Sequence, residues 1–157
     1  MMTKHASVGV GIAVLALFLG LCGFLWLIKE RPQPMQNLIA YVEIPVTDLA
    51  RARAFYTQVF GAELGEPTTV DGYDMVFFPF AEGAPGVTAA LVKGDVYVPS
   101  TSGPIVYFHT DAIEATLAKA VAAGGHILYP VKSVGEFGHV AEFKDTEGNR
   151  IALNQPL

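Results

Sequence analysis

The sequence predicts an α+β fold of two tandem βαβββ modules, preceded by an N-terminal transmembrane helix. Three observations support this prediction: an uncharged apolar run at residues 6–28, a pattern of strands around one helix that occurs twice, and a spacing of 63 residues between the two occurrences. We therefore divide the 157 residues into an anchor at 1–29, a linker at 30–36 and one domain at 37–157, with modules at about 37–98 and 99–157.

The apolar run at residues 6–28 is long enough for a helix to cross about 30 Å of hydrocarbon. Trp26 lies near its end, and Lys29 and Arg31 follow, as expected where a spanning helix meets lipid headgroups. No cleavage site typical of a signal peptide follows the run. We therefore expect a single-pass membrane protein, and the basic residues favour the cytoplasmic face for the domain. Met35 is an alternative start of translation.

Charge and cysteine content argue against two classes of function. The net charge of −5 is opposite in sign to the clustered basic surface with which proteins bind nucleic acids. The single cysteine, Cys22, cannot form a disulfide or a CxxC metal site within one chain. We expect no nucleic-acid partner.

The repeat predicts where the two helices begin and end. Asp48 and Asp111 each follow a threonine at the end of a strand-like run, where an aspartate side chain caps a helix N-terminus. Gly61 and Gly124 follow at matching positions, and glycine readily adopts the left-handed conformation that ends a helix. Asp111 and Glu114 also have the spacing of a capping box. The helices should therefore begin after the aspartates and end before the glycines.

The hydrophobic pattern supplies the remaining elements. Apolar residues recur at helical spacing between Leu49 and Val59 and between Ile113 and Val121, so each helix should bury one face. Short runs rich in β-branched and aromatic residues predict eight strands. These strands are Tyr41–Val46, Leu64–Val70, Met75–Phe80, Val87–Val92, Ile105–His109, Ile127–Val131, His139–Lys144 and Arg150–Asn154.

Two segments carry a family resemblance. The stretches EIPVTDLARARAFYTQVFG, at residues 43–61, and EFKDTEGNRIALNQ, at residues 142–155, resemble the vicinal oxygen chelate superfamily of glyoxalases, bleomycin-resistance proteins and extradiol dioxygenases. The resemblance covers nearly all of residues 37–157. It implies that the sheets of the two modules curve around a shared cavity and that a homodimer helps to close it.

In metal-dependent members of this superfamily, the cavity holds a divalent ion bound by His, Gln or Glu. The resemblance places one ligand position on the first strand and one on the last strand of each module, at Tyr41, Ala90, Pro104 and Ala152. Alanine and proline offer no donor atom, and tyrosine is a poor ligand for hard divalent ions. We therefore expect no cofactor and no metal site, with an unusual divalent metal as the alternative.

Alternation along the strands predicts which side chains face the cavity, because residues two apart share one face of a sheet. Counting from Tyr41, Glu43 faces the cavity, and a carboxylate there is costly to bury unless it is paired or used. Glu43 is the candidate general base, or the anchor for an amine or a hydroxyl; pairing with Arg150 or contact with solvent are the structural alternatives. The complete predicted ligand-binding set is Tyr41, Glu43, Thr88, Ala90, Val106, Phe108, His139 and Asn154.

The segment DTEGN contains two further polar candidates, Asp145 and Asn149. A turn between two strands requires the same residue types, and we expect a turn rather than catalysis there. Glu142 lies among apolar neighbours, and the sequence does not determine which way it faces.

Three functions are open at this point. The first is a membrane-anchored, metal-independent domain that binds a small, largely apolar molecule between the two modules, as a homodimer. The second is a glyoxalase-like lyase or isomerase that acts on a small carbonyl compound with Glu43 as general base. The third is a non-catalytic protein-interaction module. The sequence names no ligand and does not decide whether the chain is an enzyme.

Overall fold

The computed structural model describes residues 38–157, and these form two four-stranded sheets, two α-helices and one short 3₁₀ helix. The elements are β1 (Tyr41–Pro45), α1 (Leu49–Phe60), β2 (Thr68–Val70), β3 (Tyr73–Phe77), β4 (Thr88–Lys93), β5 (Val106–His109), α2 (Ile113–Ala122), β6 (His126–Ser133), the 3₁₀ helix (Gly135–Phe137), β7 (His139–Lys144) and β8 (Arg150–Gln155). The predicted α+β class with two tandem βαβββ modules is confirmed.

Each module forms one sheet, and the two sheets have the same strand order. The first sheet has the order β1-β4-β3-β2, and the second has the order β5-β8-β7-β6. The pairs β1·β4 and β5·β8 are parallel, as a helical crossover permits, and the other pairs are antiparallel. The first strand of each module is therefore an edge strand.

The predicted localisation, a single-pass membrane protein, is contradicted. No helix within residues 38–157 is long and apolar enough to cross a membrane. The apolar run at residues 6–28, from which the prediction came, lies outside the described residues. Length and lack of charge allow a segment to span hydrocarbon but do not require it to do so. The predicted bounds of the anchor, the linker and the two modules stay predictions.

The first helix begins and ends as predicted. The Asp48 side chain accepts a hydrogen bond of 3.0 Å from the backbone N–H of Arg51, which satisfies one of the free donors at the start of α1. Gly61 ends the helix with φ of 67°, a left-handed conformation that glycine adopts without strain. Local capping therefore sets both ends of α1.

The second helix begins one residue later than predicted. Its N-cap is Ala112, which makes no side-chain capping bond, so the predicted capping box of Asp111 and Glu114 is wrong. The backbone N–H of Ile113 instead donates to the side-chain oxygen of Gln155 at 2.8 Å, so the last strand supplies the cap. The helix starts are thus 64 residues apart rather than 63.

One hydrophobic core lies between the helices and the sheets and includes residues of both modules. The ring of Phe55 on α1 lies 5.9 Å from that of Phe143 on β7, and Phe60 stacks on Phe108 of β5 at 4.5 Å. Contacts of this kind add to the burial of large aromatic surfaces. The shared core fixes the two modules against each other.

The turn between β7 and β8 adds a polar connection between the modules. Asp145 is 2% exposed, and its Oδ1 accepts the backbone N–H groups of residues 147–149 at 2.7–2.9 Å. Its Oδ2 accepts the hydroxyl of the buried Tyr56, on α1, at 2.8 Å. Asn149 donates to the backbone oxygen of Pro45, at the end of β1, at 2.8 Å. The predicted turn is confirmed, and it also joins the two modules.

Glu147 extends this connection to the start of α1. Its side chain is fully covered and forms a two-pronged pair with Arg51, with bonds of 2.8 and 2.9 Å. It also accepts the backbone N–H groups of Thr47 and Asp48 at 2.9 and 3.1 Å. Burial raises the pKa of Glu147, but the hydrogen bonds from Arg51 and Thr47 outweigh it, and the pKa falls from 4.5 to about 2.

We predict that acid weakens the junction between the modules through Glu147. A carboxyl whose pKa is lower in the folded state contributes stability that is complete above its unfolded value of 4.5 and is lost as the pH falls towards 2. Glu147→Gln should therefore lower the free energy of unfolding at pH 7 by about 1–2 kcal/mol. The difference between variant and parent in urea denaturation should shrink between pH 5 and pH 2.5. A difference that stays constant over that range contradicts the prediction.

Candidate functional site

Glu43 lies on the face of the first sheet that points away from the helices, which we call the distal face. Ile44 and Leu91 are buried against α1 on the opposite face. Alternation then places Tyr41 and Glu43 on the distal face, and Ala90 lies directly opposite Glu43 in the β1·β4 pair. The centre of the distal face thus carries one carboxylate.

Two tyrosines hold the carboxylate of Glu43. The hydroxyl of Tyr41 donates to Oε1 at 3.1 Å, and the hydroxyl of Tyr97, from the loop after β4, donates to Oε2 at 2.8 Å. Arg150, the partner considered from the sequence, pairs with Glu142 instead. The half-buried Glu43 is therefore fixed by neutral donors.

Tyr97 and Tyr73 cover part of the distal face. Their rings meet edge to face at 5.2 Å and pack over the buried cluster that contains Met75 and Ala90. Ala90, predicted to bind ligand, is fully buried beneath them. A Cβ atom at Gly94 would overlap the ring of Tyr73, so glycine is required for this packing.

The two phenols donate to Glu43 at every physiological pH. The hydrogen bond to the carboxylate raises the pKa of Tyr97 to about 12 and also raises the pKa of Tyr41. A carboxylate has about four acceptor positions, and the two phenols use two of them. Glu43 therefore keeps acceptor capacity for a ligand.

Two cavities open between the edge strand β1 and the second sheet, in a groove that we call the crevice. The first has a volume of about 300 Å³ and is bordered by Glu43 and Val106. The second, of about 460 Å³, is bordered by Thr88 and Phe108. Val42 and Val106 border both cavities, so the two adjoin along these side chains. Glu43 lies at the first cavity only.

The second module presents its first strand differently from the prediction. Tyr107, and not Phe108, lies opposite Ala152 in the β5·β8 pair. Phe108 faces the helices, where it stacks on Phe60, although it reaches the second cavity. Val106 likewise lies opposite a core residue, Ile151. The predicted facing of both Val106 and Phe108 was wrong by one residue because the helix starts are 64 residues apart.

Two predicted ligand-binding residues lie away from the crevice. Asn154 is on the distal face of the second sheet, and His139 shares its face with Ala141 and Phe143 of the core. Neither borders the two cavities. Four residues of the predicted set border the crevice: Glu43, Thr88, Val106 and Phe108. Tyr41 is hydrogen-bonded to Glu43. The other three, Ala90, His139 and Asn154, do not border the crevice.

Glu142, whose orientation the sequence left open, lies on the distal face of the second sheet opposite Ala152. It is 8% exposed and accepts bonds of 2.7 and 2.6 Å from the Nε and NH2 groups of Arg150. Arg150 borders the first cavity, but its charge is already offset by Glu142.

The four metal positions of the resembled superfamily lack suitable donors. Counting seven residues back from the observed N-cap of α2 replaces Pro104 by Ile105, which also has no donor atom. The other three are Tyr41, Ala90 and Ala152. Within residues 38–157, no three His, Cys, Asp or Glu side chains are grouped so that they could hold an ion. The residues present do not provide the donor atoms that a divalent metal needs, and we propose no metal-dependent step.

Sequence reasoning missed Tyr97 and the role of Asn149 at the crevice. Tyr97 lies in a loop, where periodicity carries no information; its only signal is an aromatic residue in the short apolar stretch VYVP. Asn149 was interpreted as a turn residue, yet it also borders the first cavity.

Comparisons with known proteins support the fold. A family model described as Glyoxalase/Bleomycin resistance protein/Dioxygenase superfamily matches residues 38–153. A glyoxylase-like domain-containing protein from Didymella fabae is 34% identical over 127 residues, which cover 76% of this chain and 94% of that protein. The putative glyoxylase CFP32 from Mycobacterium bovis is 25% identical over 128 residues, and the match covers 80% of this chain and 48% of that protein.

Solved structures agree with these matches. TnmS3, an antibiotic binding protein from a Streptomyces species, is similar with a TM-score of 0.57 and 26% identity, over 79% of this chain and 100% of TnmS3.

We predict that the pKa of Tyr97, about 12 in the parent protein, falls towards 10.0 in Glu43→Gln. The substitution removes the carboxylate whose hydrogen bond and charge disfavour the phenolate. NMR titration of ¹³C-labelled tyrosine rings, with Tyr97→Phe to assign the signal, measures the change. Glu114→Gln, which removes a charge from an exposed position on α2, is the control and should leave the pKa of Tyr97 unchanged. An unchanged Tyr97 titration in Glu43→Gln would show that the two groups are not bonded.

Proposed function

The chain belongs to the Glyoxalase/Bleomycin resistance protein/Dioxygenase superfamily, and we propose that it binds a small, largely apolar molecule in the crevice without a metal. The observation that carries this proposal is the cavity of about 300 Å³ that Glu43 borders. Ligand pockets are commonly apolar, begin at roughly that volume and contain a few polar groups that set orientation.

The walls of the first cavity fit that description. The apolar residues Val42, Val98, Pro104 and Val106 border it, and Glu43 supplies a polar group that is already oriented by Tyr41 and Tyr97. An oriented group loses little conformational freedom when a ligand binds.

The similarity to TnmS3 also supports binding, because that protein is described as an antibiotic binding protein. We propose Glu43, Tyr41, Thr88, Val106 and Phe108 as the ligand-contacting residues of the predicted set. The homodimer and a role in protein interaction stay predictions.

We predict that Val106→Phe weakens binding of the neutral fluorescent naphthalene prodan at least about fivefold, because Val106 borders both cavities and a larger side chain fills them. Fluorescence titration of the full chain measures this. Val121→Phe is the matched control, since Val121 is 44% exposed on α2, and it should bind as the parent does. Equal binding by all three proteins, or no binding by any of them while they are folded, would refute the proposal.

Catalysis is the second candidate function. It is favoured by the relatives described as glyoxylase-like and as a putative glyoxylase, and by the carboxylate at the cavity. A general base must have a free acceptor position within reach of the proton that it removes. Each oxygen of Glu43 accepts one phenol proton and keeps a further acceptor position, so this geometry permits a base as well as an anchor.

We expect the protein not to accelerate the isomerisation of an adduct between a small α-oxoaldehyde and a thiol. The rate, followed by ¹H NMR, should be the same with the parent protein, with Glu43→Gln and without protein. An acceleration that Glu43→Gln reduces by about a hundredfold, the usual contribution of a general base, would establish catalysis instead of binding.

A further inference from the structure

We propose that the molecule bound in the crevice carries a protonated amine, which the Glu43 carboxylate holds beside the rings of Tyr41 and Tyr97. This inference rests on the proposed binding function and adds the chemical class of the ligand. It follows from the charge around Glu43, from its remaining hydrogen-bonding capacity and from the aromatic rings in contact with it.

The charge of Glu43 has no counterpart among residues 38–157. No Lys, Arg or His side chain in this part of the chain lies within 4.0 Å of its carboxylate. The two other covered glutamates both have an arginine partner, since Glu142 pairs with Arg150 and Glu147 pairs with Arg51. Burying part of a carboxylate without a cationic partner costs free energy. An organic cation bound in the crevice would lower that cost.

The hydrogen bonds of Glu43 leave room for an ammonium group. Each oxygen accepts one phenol, at 3.1 and 2.8 Å, and each retains a further acceptor position. An N–H group on a cation forms a shorter and stronger bond to a carboxylate than a neutral hydroxyl does. The phenols hold the carboxylate in one orientation and do not neutralise its charge.

The tyrosines supply a second attraction for a cation. Tyr41 and Tyr97 lie within hydrogen-bond reach of the carboxylate, and Tyr73 packs on Tyr97 at 5.2 Å. The electron-rich face of an aromatic ring attracts a cation that lies within about 6 Å of it. The cavity beside Glu43 supplies apolar walls for the rest of the ligand.

An anionic ligand is disfavoured at the same place. It would approach the charge of Glu43, which has no cationic partner within residues 38–157, and Arg150, the cation that borders the cavity in this part of the chain, is already engaged by Glu142. The net charge of −5 also attracts cations over longer distances. The class that fits is therefore an apolar scaffold with one basic nitrogen.

Three probes of similar size test this assignment: 1-naphthylmethylamine, 1-naphthalenemethanol and 1-naphthoic acid. We expect the full-length protein at pH 7 and low salt to bind the amine at least about tenfold more tightly than the alcohol, the factor that one charge-assisted hydrogen bond supplies. The acid should bind most weakly. In Glu43→Gln, the preference for the amine should disappear while the alcohol binds as before. Glu114→Gln changes the net charge equally and should keep the preference.

The outcomes separate this inference from the function on which it rests. Equal binding of amine and alcohol, or tighter binding of the acid, overturns the cation assignment and leaves the binding function intact. Binding of none of the three probes by the folded protein overturns both. A preference for the amine that Glu43→Gln retains also overturns the assignment. If Glu43→Gln lowers the melting temperature, the parent protein is titrated instead at a pH above the pKa of the probe amine. The neutral amine should then bind no more tightly than the alcohol, and a preference that persists there overturns the assignment.

Discussion

The geometry of the crevice depends on the hydrogen bonds that the buried carboxylate of Asp145 accepts. One of its oxygens closes the turn between β7 and β8, and the other accepts the hydroxyl of Tyr56 from the first module. The same turn carries Asn149, which bonds to the end of β1 and borders the cavity beside Glu43. A buried carboxylate with five donors is rigid, because each lost bond would leave a polar group without a partner. The distance between the two sheets is therefore held by hydrogen bonds as well as by the apolar core.

Most of the fold could be predicted from the sequence because local chemistry specifies it. Asp48 and Gly61 bound α1 through capping and a left-handed φ, and both effects act over a few residues. The start of α2 could not be predicted in this way, because its cap comes from Gln155 on the last strand. That shift of one residue reversed the predicted facing of Phe108, since neighbouring residues of a strand point to opposite faces.

The candidate site was predictable only in part, for the same reason. Alternation along β1 identified Glu43, a residue within a regular element. Tyr97 comes from a loop, and its contact with Glu43 spans 54 residues of sequence, which no local pattern encodes. Arg150, one possible partner of Glu43 from the sequence, pairs with Glu142 instead, because Glu142 and Arg150 are close only through the β7·β8 register. Pairings between strands decide such contacts.

The two modules share one strand order but not the same chemistry. Glu43 and Tyr107 occupy equivalent places, each opposite an alanine on the neighbouring parallel strand. One half of the crevice thus presents a carboxylate where the other half presents a phenol. A binding site built from two matching halves would accept a ligand in two opposite orientations. If the crevice binds a molecule as proposed, the carboxylate on one side only would favour a single orientation for a ligand with a polar end.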